Sequence, residues 1–140
     1  MDRKEFLKTT CLVCGALAAA SLIDACKKTA TTTQAPDVDF TLDLSASANS
    51  ALNNVGGSVV NSKVIIIRTA VPLTASSFTA LTQICTHAGC DLAYYNKNNT
   101  VGCPCHGGVF NINGNVIAGP PPGPLRKYNV SLNGNSLRVY

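Results

Sequence analysis

Two short motifs, twelve residues apart, decide the fold of this chain: Cys85-Thr86-His87-Ala88-Gly89-Cys90 and Cys103-Pro104-Cys105-His106-Gly107-Gly108-Val109-Phe110. They contain both histidines and four of the seven cysteines of the 140-residue sequence. Each motif offers one cysteine paired closely with a histidine, plus one additional cysteine. Two thiolates and two imidazoles would complete one four-ligand metal site. Two cysteines are left over, which is the number that one disulfide requires.

Two kinds of metal centre accept this ligand set. Zinc binds two Cys and two His in structural sites. A 2Fe–2S cluster binds the same residues when two His replace two Cys on one iron. Ligand spacing alone barely separates these alternatives, whereas the residues around the ligands favour the second. The patterns Cys-Thr-His-x-Gly-Cys and Cys-Pro-Cys-His-Gly resemble those of the Rieske family, and the resemblance extends over about residues 37–140.

The resemblance implies a 2Fe–2S cofactor with a defined ligand set. Cys85 and Cys103 would hold the buried iron, and His87 and His106 would hold the outer iron through one ring nitrogen each. With two fewer thiolates than a four-cysteine site, such a site accepts an electron more readily. Reduction makes it more negative and favours protonated imidazole. We therefore expect His87 and His106 to be the catalytic residues that couple electron uptake to proton uptake.

The resemblance also gives the two remaining cysteines a role. Cys90 and Cys105 would form a disulfide that ties the motifs together, as in the cytochrome bc branch and in the small subunit of arsenite oxidase. Rieske ferredoxins and ring-hydroxylating oxygenases generally lack this bond. The implied function is one-electron transfer by the quinol-oxidising iron–sulfur subunit of a membrane-bound respiratory complex. Its implied partners are a cytochrome b-type subunit and a cytochrome c-type acceptor.

A different class of function stays open beside this one. The chain could be the small subunit of a periplasmic oxidoreductase similar to arsenite oxidase, or a discrete electron carrier. No second cofactor motif and no substrate pocket is recognisable in the sequence. We therefore expect an electron-transfer subunit of an oxidoreductase and not a complete enzyme.

A proline-rich segment follows the second motif and reads Gly119-Pro120-Pro121-Pro122-Gly123-Pro124-Leu125. It could be a rigid connector, since proline fixes φ. It also resembles the Rieske proline loop, which covers the third side of the cluster. Excluding water from that side would support tuning of the reduction potential.

The resemblance further predicts a low reduction potential. In high-potential members a serine hydroxyl donates to a bridging sulfide, and a tyrosine hydroxyl donates to a ligand sulfur. Alignment on the second motif places Gly108 and Phe110 at those positions. Because neither side chain donates a hydrogen bond, we expect a potential low in the Rieske range of roughly −150 to +300 mV. Such a potential suits a low-potential quinol such as menaquinol.

The first 26 residues predict a targeting segment. Arg3, Lys4 and Lys8 precede an uncharged stretch at 9–23, which is shorter than the roughly twenty apolar residues of a membrane span. This pattern suits a signal peptide, and its start resembles a twin-arginine export motif. An ordinary Sec signal or an uncleaved anchor are the alternatives. Cys11 and Cys14 fall inside the apolar stretch and are interpreted as small hydrophobic residues.

The end of this segment predicts a membrane anchor. Ile23-Asp24-Ala25-Cys26 resembles a lipobox, so we expect lipidation at Cys26 to hold the exported protein on the periplasmic side of a bacterial membrane. Residues 27–36 are polar and have no apolar period. They predict a flexible tether that reaches about 35 Å when fully stretched.

From residue 37 onward the apolar pattern predicts strands. The predicted strands are 37–44, 58–60, 64–67, 78–84, 92–95, 100–102, 109–112, 116–118, 127–132 and 136–140. Hairpin turns are predicted at Asn113-Gly114 and Asn133-Gly134. We therefore predict an all-β protein. The Rieske resemblance implies an antiparallel β-sandwich base domain with an inserted cluster-binding subdomain at about 78–125.

Composition limits the remaining possibilities. Apolar residues make up 46% of the chain and charged residues 13%, with a net charge of +4. These values suit one small domain with a limited core. Because no basic run is interleaved with aromatic residues, nucleic acid is not an expected partner.

Overall fold

The computed structural model describes residues 34–140, so the predicted signal peptide, Cys26 and most of the predicted tether lie outside the described residues. Within 34–140 the chain forms eleven short strands and two 3-10 helices, at Ser47–Asn53 and Ala75–Ser77. The strands are β1 (Phe40–Asp43), β2 (Ser58–Asn61), β3 (Val64–Arg68), β4 (Phe78–Thr82), β5 (Ala93–Tyr95), β6 (Thr100–Gly102), β7 (Val109–Asn111), β8 (Val116–Ala118), β9 (Lys127–Tyr128), β10 (Val130–Asn133) and β11 (Ser136–Val139). None of the described helices has the length and apolar character needed to cross a membrane.

The strands form three antiparallel sheets, which confirms the predicted all-β fold. One sheet has the order β1-β11-β10, the second β2-β3-β4-β9, and the third β5-β6-β7-β8. The hairpin turns predicted at Asn113-Gly114 and Asn133-Gly134 connect β7 to β8 and β10 to β11.

Strand β3 lies between two hydrophobic cores. Its side chains alternate in direction, as in any strand. Val64 and Ile66 pack into the core shared with the β1-β11-β10 sheet, whereas Ile65 and Ile67 pack into the second core. All five residues of β3 are buried. Burial on both faces explains why residues 64–67 of this strand are all apolar.

The second core contains residues of β4 and β6, the strands that lead into the two motifs. It contains Leu81 from β4, Val101 from β6 and Phe110 from β7. Cys85 and Cys103, the first residues of the two motifs, belong to the same core. Each motif therefore begins at a residue fixed by packing, and the rest of the motif extends from that residue.

One predicted strand proved to be two. The segment predicted at 127–132 is divided at Asn129, where β9 pairs with β4 and β10 pairs with β11. The backbone N–H of Asn129 donates to the carbonyl of Tyr140 at 2.9 Å, and the reverse bond measures 3.1 Å. The chain therefore passes from one sheet to another at this residue.

The 3-10 helix at Ser47–Asn53 has no counterpart among the predicted elements. Leu52 is its only buried residue. A short segment with one buried side chain has no apolar period to reveal it.

Candidate metal centre

Each motif folds into a six-residue loop, and the two loops have the same pattern of backbone hydrogen bonds. In the first, the backbone N–H of Cys85 donates to the carbonyl five residues later at 2.8 Å, and its carbonyl accepts the N–H four residues later at 2.9 Å. Cys103 makes the same two bonds at 2.7 and 3.1 Å. The glycines whose N–H groups donate to the Cys85 and Cys103 carbonyls, Gly89 and Gly107, have φ of 74° and 72°. Glycine enters this region of φ without steric cost. The two loops therefore repeat one backbone conformation.

The first residue of each loop supplies a buried sulfur. Cys85 and Cys103 are free thiols, with exposed fractions of 0% and 4%. Burial raises the pKa of the Cys85 thiol, and the neighbouring Cys103 thiol acts in the same direction. The backbone N–H groups of His87 and Ala88 donate to the Cys85 sulfur and act in the opposite direction. Such donors suit a thiolate ligand.

The two imidazoles meet on the exposed side of the loops. His87 and His106 are both exposed, and their ring centroids lie 4.8 Å apart with the ring planes at 87°. Of the four residues predicted as ligands, the structure therefore places Cys85 beside Cys103 in the core and His87 beside His106 on the exposed side. This donor set fits a 2Fe–2S cluster in which two histidines replace two cysteines on one iron.

The other cysteine of each loop forms the bond that the resemblance implied. Cys90 and Cys105 are joined by a disulfide, with their Cα atoms 6.5 Å apart. The sulfurs of Cys90, Cys103 and Cys105 all lie within 4.8 Å of one another. Because metals are bound by thiolates, only Cys103 in this group can serve as a ligand while the disulfide is intact.

The segment at 119–125 contacts both loops. A Cβ on Gly119 would lie 2.7 Å from the carbonyl oxygen of Gly107, so only glycine allows this approach to the second loop. On the other side, the Thr86 hydroxyl donates to the Gly123 carbonyl at 2.9 Å. Thr86 was not among the predicted site residues. The sequence signal that could have identified Thr86 was its position between two candidate ligands. Its hydrogen-bond partner, however, depends on the tertiary fold.

The second loop and the proline segment pack closely at Gly108. A Cβ there would lie 2.6 Å from Cγ and 3.1 Å from Cδ of Pro121, which is buried. Pro120 and Pro122 on either side are exposed. Phe110, two residues after Gly108, is fully buried in the second core. The glycine therefore makes room for Pro121, which the sequence alone did not indicate.

Comparison with known proteins identifies the family. Residues 42–129 match the family model of the Rieske [2Fe-2S] domain. The cytochrome b6-f complex iron-sulfur subunit of Chlorobaculum thiosulfatiphilum is 36% identical over 63 residues, which are 45% of this chain and 35% of that protein. The matched region thus spans about a third of the length of that curated relative.

Two solved structures share the fold, and this chain matches a larger share of their length than of the curated relative's. The plasma membrane Rieske protein of the cyanobacterium Synechocystis PCC 6803 has a TM-score of 0.51 and 28% identity, over 60% of this chain and 84% of that chain. A chain of a hyperthermophilic respiratory complex III has a TM-score of 0.50 and 34% identity, over 60% and 66%.

The family match includes both loops, the disulfide cysteines and the proline segment, so the similarity extends beyond the general architecture. The chain belongs to the Rieske [2Fe-2S] family, binds a 2Fe–2S cluster, and is similar to the iron–sulfur subunits of cytochrome b6-f complexes and to a chain of a respiratory complex III.

Proposed function

We propose that this chain is the iron–sulfur subunit that accepts electrons from quinol in a membrane-bound complex of the cytochrome bc type. The observation that carries the proposal is the disulfide between Cys90 and Cys105, because ferredoxin-type and oxygenase-type Rieske proteins generally lack it. The identity of 34% with a chain of a respiratory complex III supports the same role. The expected partners are a cytochrome b-type subunit and a cytochrome c-type acceptor.

The proposed ligands are Cys85 and Cys103 for the inner iron, and His87 and His106 for the outer iron. When bound, the cluster supplies a one-electron acceptor. The buried cysteines fix it to the second core, and the exposed imidazoles turn toward solvent. The ring nitrogen of His106 that does not bind iron would, in its deprotonated form, accept a hydrogen bond, and then the proton, from a quinol hydroxyl. Pro121 and Gly119 would keep water from the side next to the second loop.

The second candidate is the small subunit of a periplasmic oxidoreductase such as arsenite oxidase, where the same disulfide is expected. Affinity purification from detergent-solubilised membranes separates the two candidates. Copurification of a cytochrome b supports the proposal. Copurification of a molybdopterin subunit would replace it with the second candidate, and the chain recovered alone would indicate a discrete carrier.

We also propose that the chain is exported, lipidated at Cys26 and linked to its Rieske domain at 37–140 by the tether at 27–36. The described end of the tether is bound to the domain. Arg126 donates from Nη1 to the carbonyls of Ala35 and Pro36, both at 3.3 Å, and its Nη2 lies 2.6 Å from Oδ1 of Asp37. The Tyr128 hydroxyl donates to the Pro36 carbonyl at 2.8 Å. Free movement of the tether would thus end before this docked segment.

Replacing Arg126 with alanine should release the docked segment. A second arginine provides a matched control, because Arg138 pairs with Asp39 at 2.6 Å and lies over the Tyr140 ring at 4.9 Å. Of these two arginines, Arg126 alone also donates hydrogen bonds to backbone carbonyls of the docked segment. Hydrogen–deuterium exchange at the amides of Ala35 and Asp37, on either side of Pro36, should accelerate about 3- to 10-fold in Arg126→Ala and stay unchanged in Arg138→Ala. Equal exchange in both variants would show that Arg126 does not hold the tether.

The reduction potential is expected to rise in Phe110→Tyr. A hydroxyl added to the buried ring would donate toward a ligand sulfur, and such bonds stabilise the reduced, more negative state. Protein-film voltammetry measures the change. Phe110→Leu is the control, since it alters the ring without adding a donor. A potential equally shifted in both variants would mean that packing and not hydrogen bonding sets it.

The structure changes the expected result for Gly108→Ser. By the same reasoning a serine hydroxyl at this position would raise the potential, but the serine Cβ would lie 2.6 Å from Cγ of Pro121. Since the proline ring is rigid, the proline segment would have to move away from the second loop. Phe110→Tyr is therefore the better test of the hydrogen-bond argument.

A further inference from the structure

The thiol of Cys103 lies beside the disulfide that joins the two loops. Its sulfur and those of Cys90 and Cys105 are all within 4.8 Å of one another. An S–S bond is about 2.05 Å long, so the Cys103 sulfur needs to move by no more than about 3 Å to bond with a disulfide sulfur. Cys103 is a buried free thiol.

We propose that Cys103 attacks this disulfide when the cluster is absent, so that cluster binding protects the native disulfide. The thiol of Cys103 gives up its proton and its sulfur forms a bond to the sulfur of Cys90. The Cys90–Cys105 bond breaks, and Cys105 leaves as a thiolate that takes up a proton. One disulfide and one thiol exist before and after the step. No external oxidant or reductant is required.

The positions of the three residues favour attack on Cys90. Cys103 and Cys105 are separated only by Pro104, so a bond between them would close a small ring around a rigid residue. Cys90 comes from the other loop and is free of this restriction. Cys105 is exposed, whereas Cys90 is half-buried. The leaving thiolate would therefore be hydrated, which favours its departure.

The exchange would change the disulfide pairing of the cluster-free protein. This inference rests on the proposed assignment of Cys103 as a cluster ligand. While Cys103 is bound to iron it cannot attack the disulfide. Once the cluster is lost, exchange would place Cys103 in a Cys90–Cys103 disulfide and leave Cys105 as an exposed thiol. The chain would then lack one cluster ligand until the exchange is reversed.

Two variants that each remove one proposed ligand test this inference. Cys85→Ser and Cys103→Ser should both be free of cluster, but only Cys85→Ser keeps the nucleophile. Each is alkylated with iodoacetamide without reduction and mapped by mass spectrometry. In Cys85→Ser we expect most chains to carry alkylated Cys105 and a Cys90–Cys103 bond. In Cys103→Ser we expect the Cys90–Cys105 bond to remain and Cys105 to be unmodified.

The outcome is clear in either direction. An intact Cys90–Cys105 bond in cluster-free Cys85→Ser would overturn the inference. A free Cys105 in both variants would do the same, because the disulfide would then be lost without Cys103. If a variant does not fold, wild-type protein stripped of iron by a chelator is mapped over time, and the Cys90–Cys103 bond must appear as the Cys90–Cys105 bond decays. None of these readouts requires quinol or a partner subunit, so their failure is separate from failure of the proposed function.

Discussion

Replacing Cys85 or Cys103 with serine is expected to abolish cluster binding, with iron and acid-labile sulfide falling from two of each per chain to background. A serine hydroxyl is a hard, weakly acidic donor and does not replace a soft thiolate toward an iron–sulfur cluster. Both cysteines are buried in the second core, and the neighbouring Cys90 and Cys105 sulfurs are held in the disulfide and cannot take their place. His87→Ala and His106→Ala should lose the cluster as well.

Thr86→Ser is the matched control for these ligand substitutions. It lies in the same loop and keeps the hydroxyl that donates to Gly123 at 2.9 Å. We expect this variant to retain two irons and two sulfides. Retention of the full cluster in Cys85→Ser or Cys103→Ser would instead show that the ligand set is different. One zinc and no sulfide in the wild type would contradict cluster binding altogether.

Removing the disulfide is expected to give the second largest effect. The bond between Cys90 and Cys105 closes a loop with a sequence separation of 15, for which the loss of chain entropy corresponds to roughly 3 kcal/mol of stability. Both loops carry proposed ligands, so their loosening should also accelerate cluster loss. The double variant Cys90→Ala/Cys105→Ala is preferable to either single variant, because it leaves no unpaired thiol beside Cys103.

Thermal unfolding and the decay of the cluster absorbance in the presence of a chelator measure these two effects. We expect a lower midpoint of unfolding and a shorter cluster lifetime in the double variant. The reference is the same protein with the disulfide confirmed by the intact mass. Unchanged values of both quantities would show that packing of the proline segment alone holds the loops together.

The features predicted correctly from the sequence are those that individual residues determine. Because the chain has only two histidines, the two motifs indicate one candidate site, and the resemblance predicted the disulfide that the structure contains. The run at 64–67 indicated a strand buried on both sides, which β3 confirms. In these places the sequence pattern has one physical explanation.

The features that were not predicted depend on contacts between distant segments. The alternation of apolar residues continues across Asn129, although the chain changes sheets there. The approach of Pro121 to Gly108 and the binding of the tether by Arg126 join residues that local periodicity cannot relate. Such contacts follow from the sheet arrangement and not from any short pattern.

Reduction of the cluster by quinol in native membranes tests the central claim most directly. A low-potential quinol such as menaquinol is added to membranes that contain the protein, and the oxidation state of the cluster is followed spectroscopically. The proposal predicts that quinol reduces the cluster of the wild-type protein, whereas membranes with His106→Ala, which is expected to lack the cluster, give no such signal. A cluster that stays oxidised with quinol, and becomes reduced when arsenite is added, would contradict it.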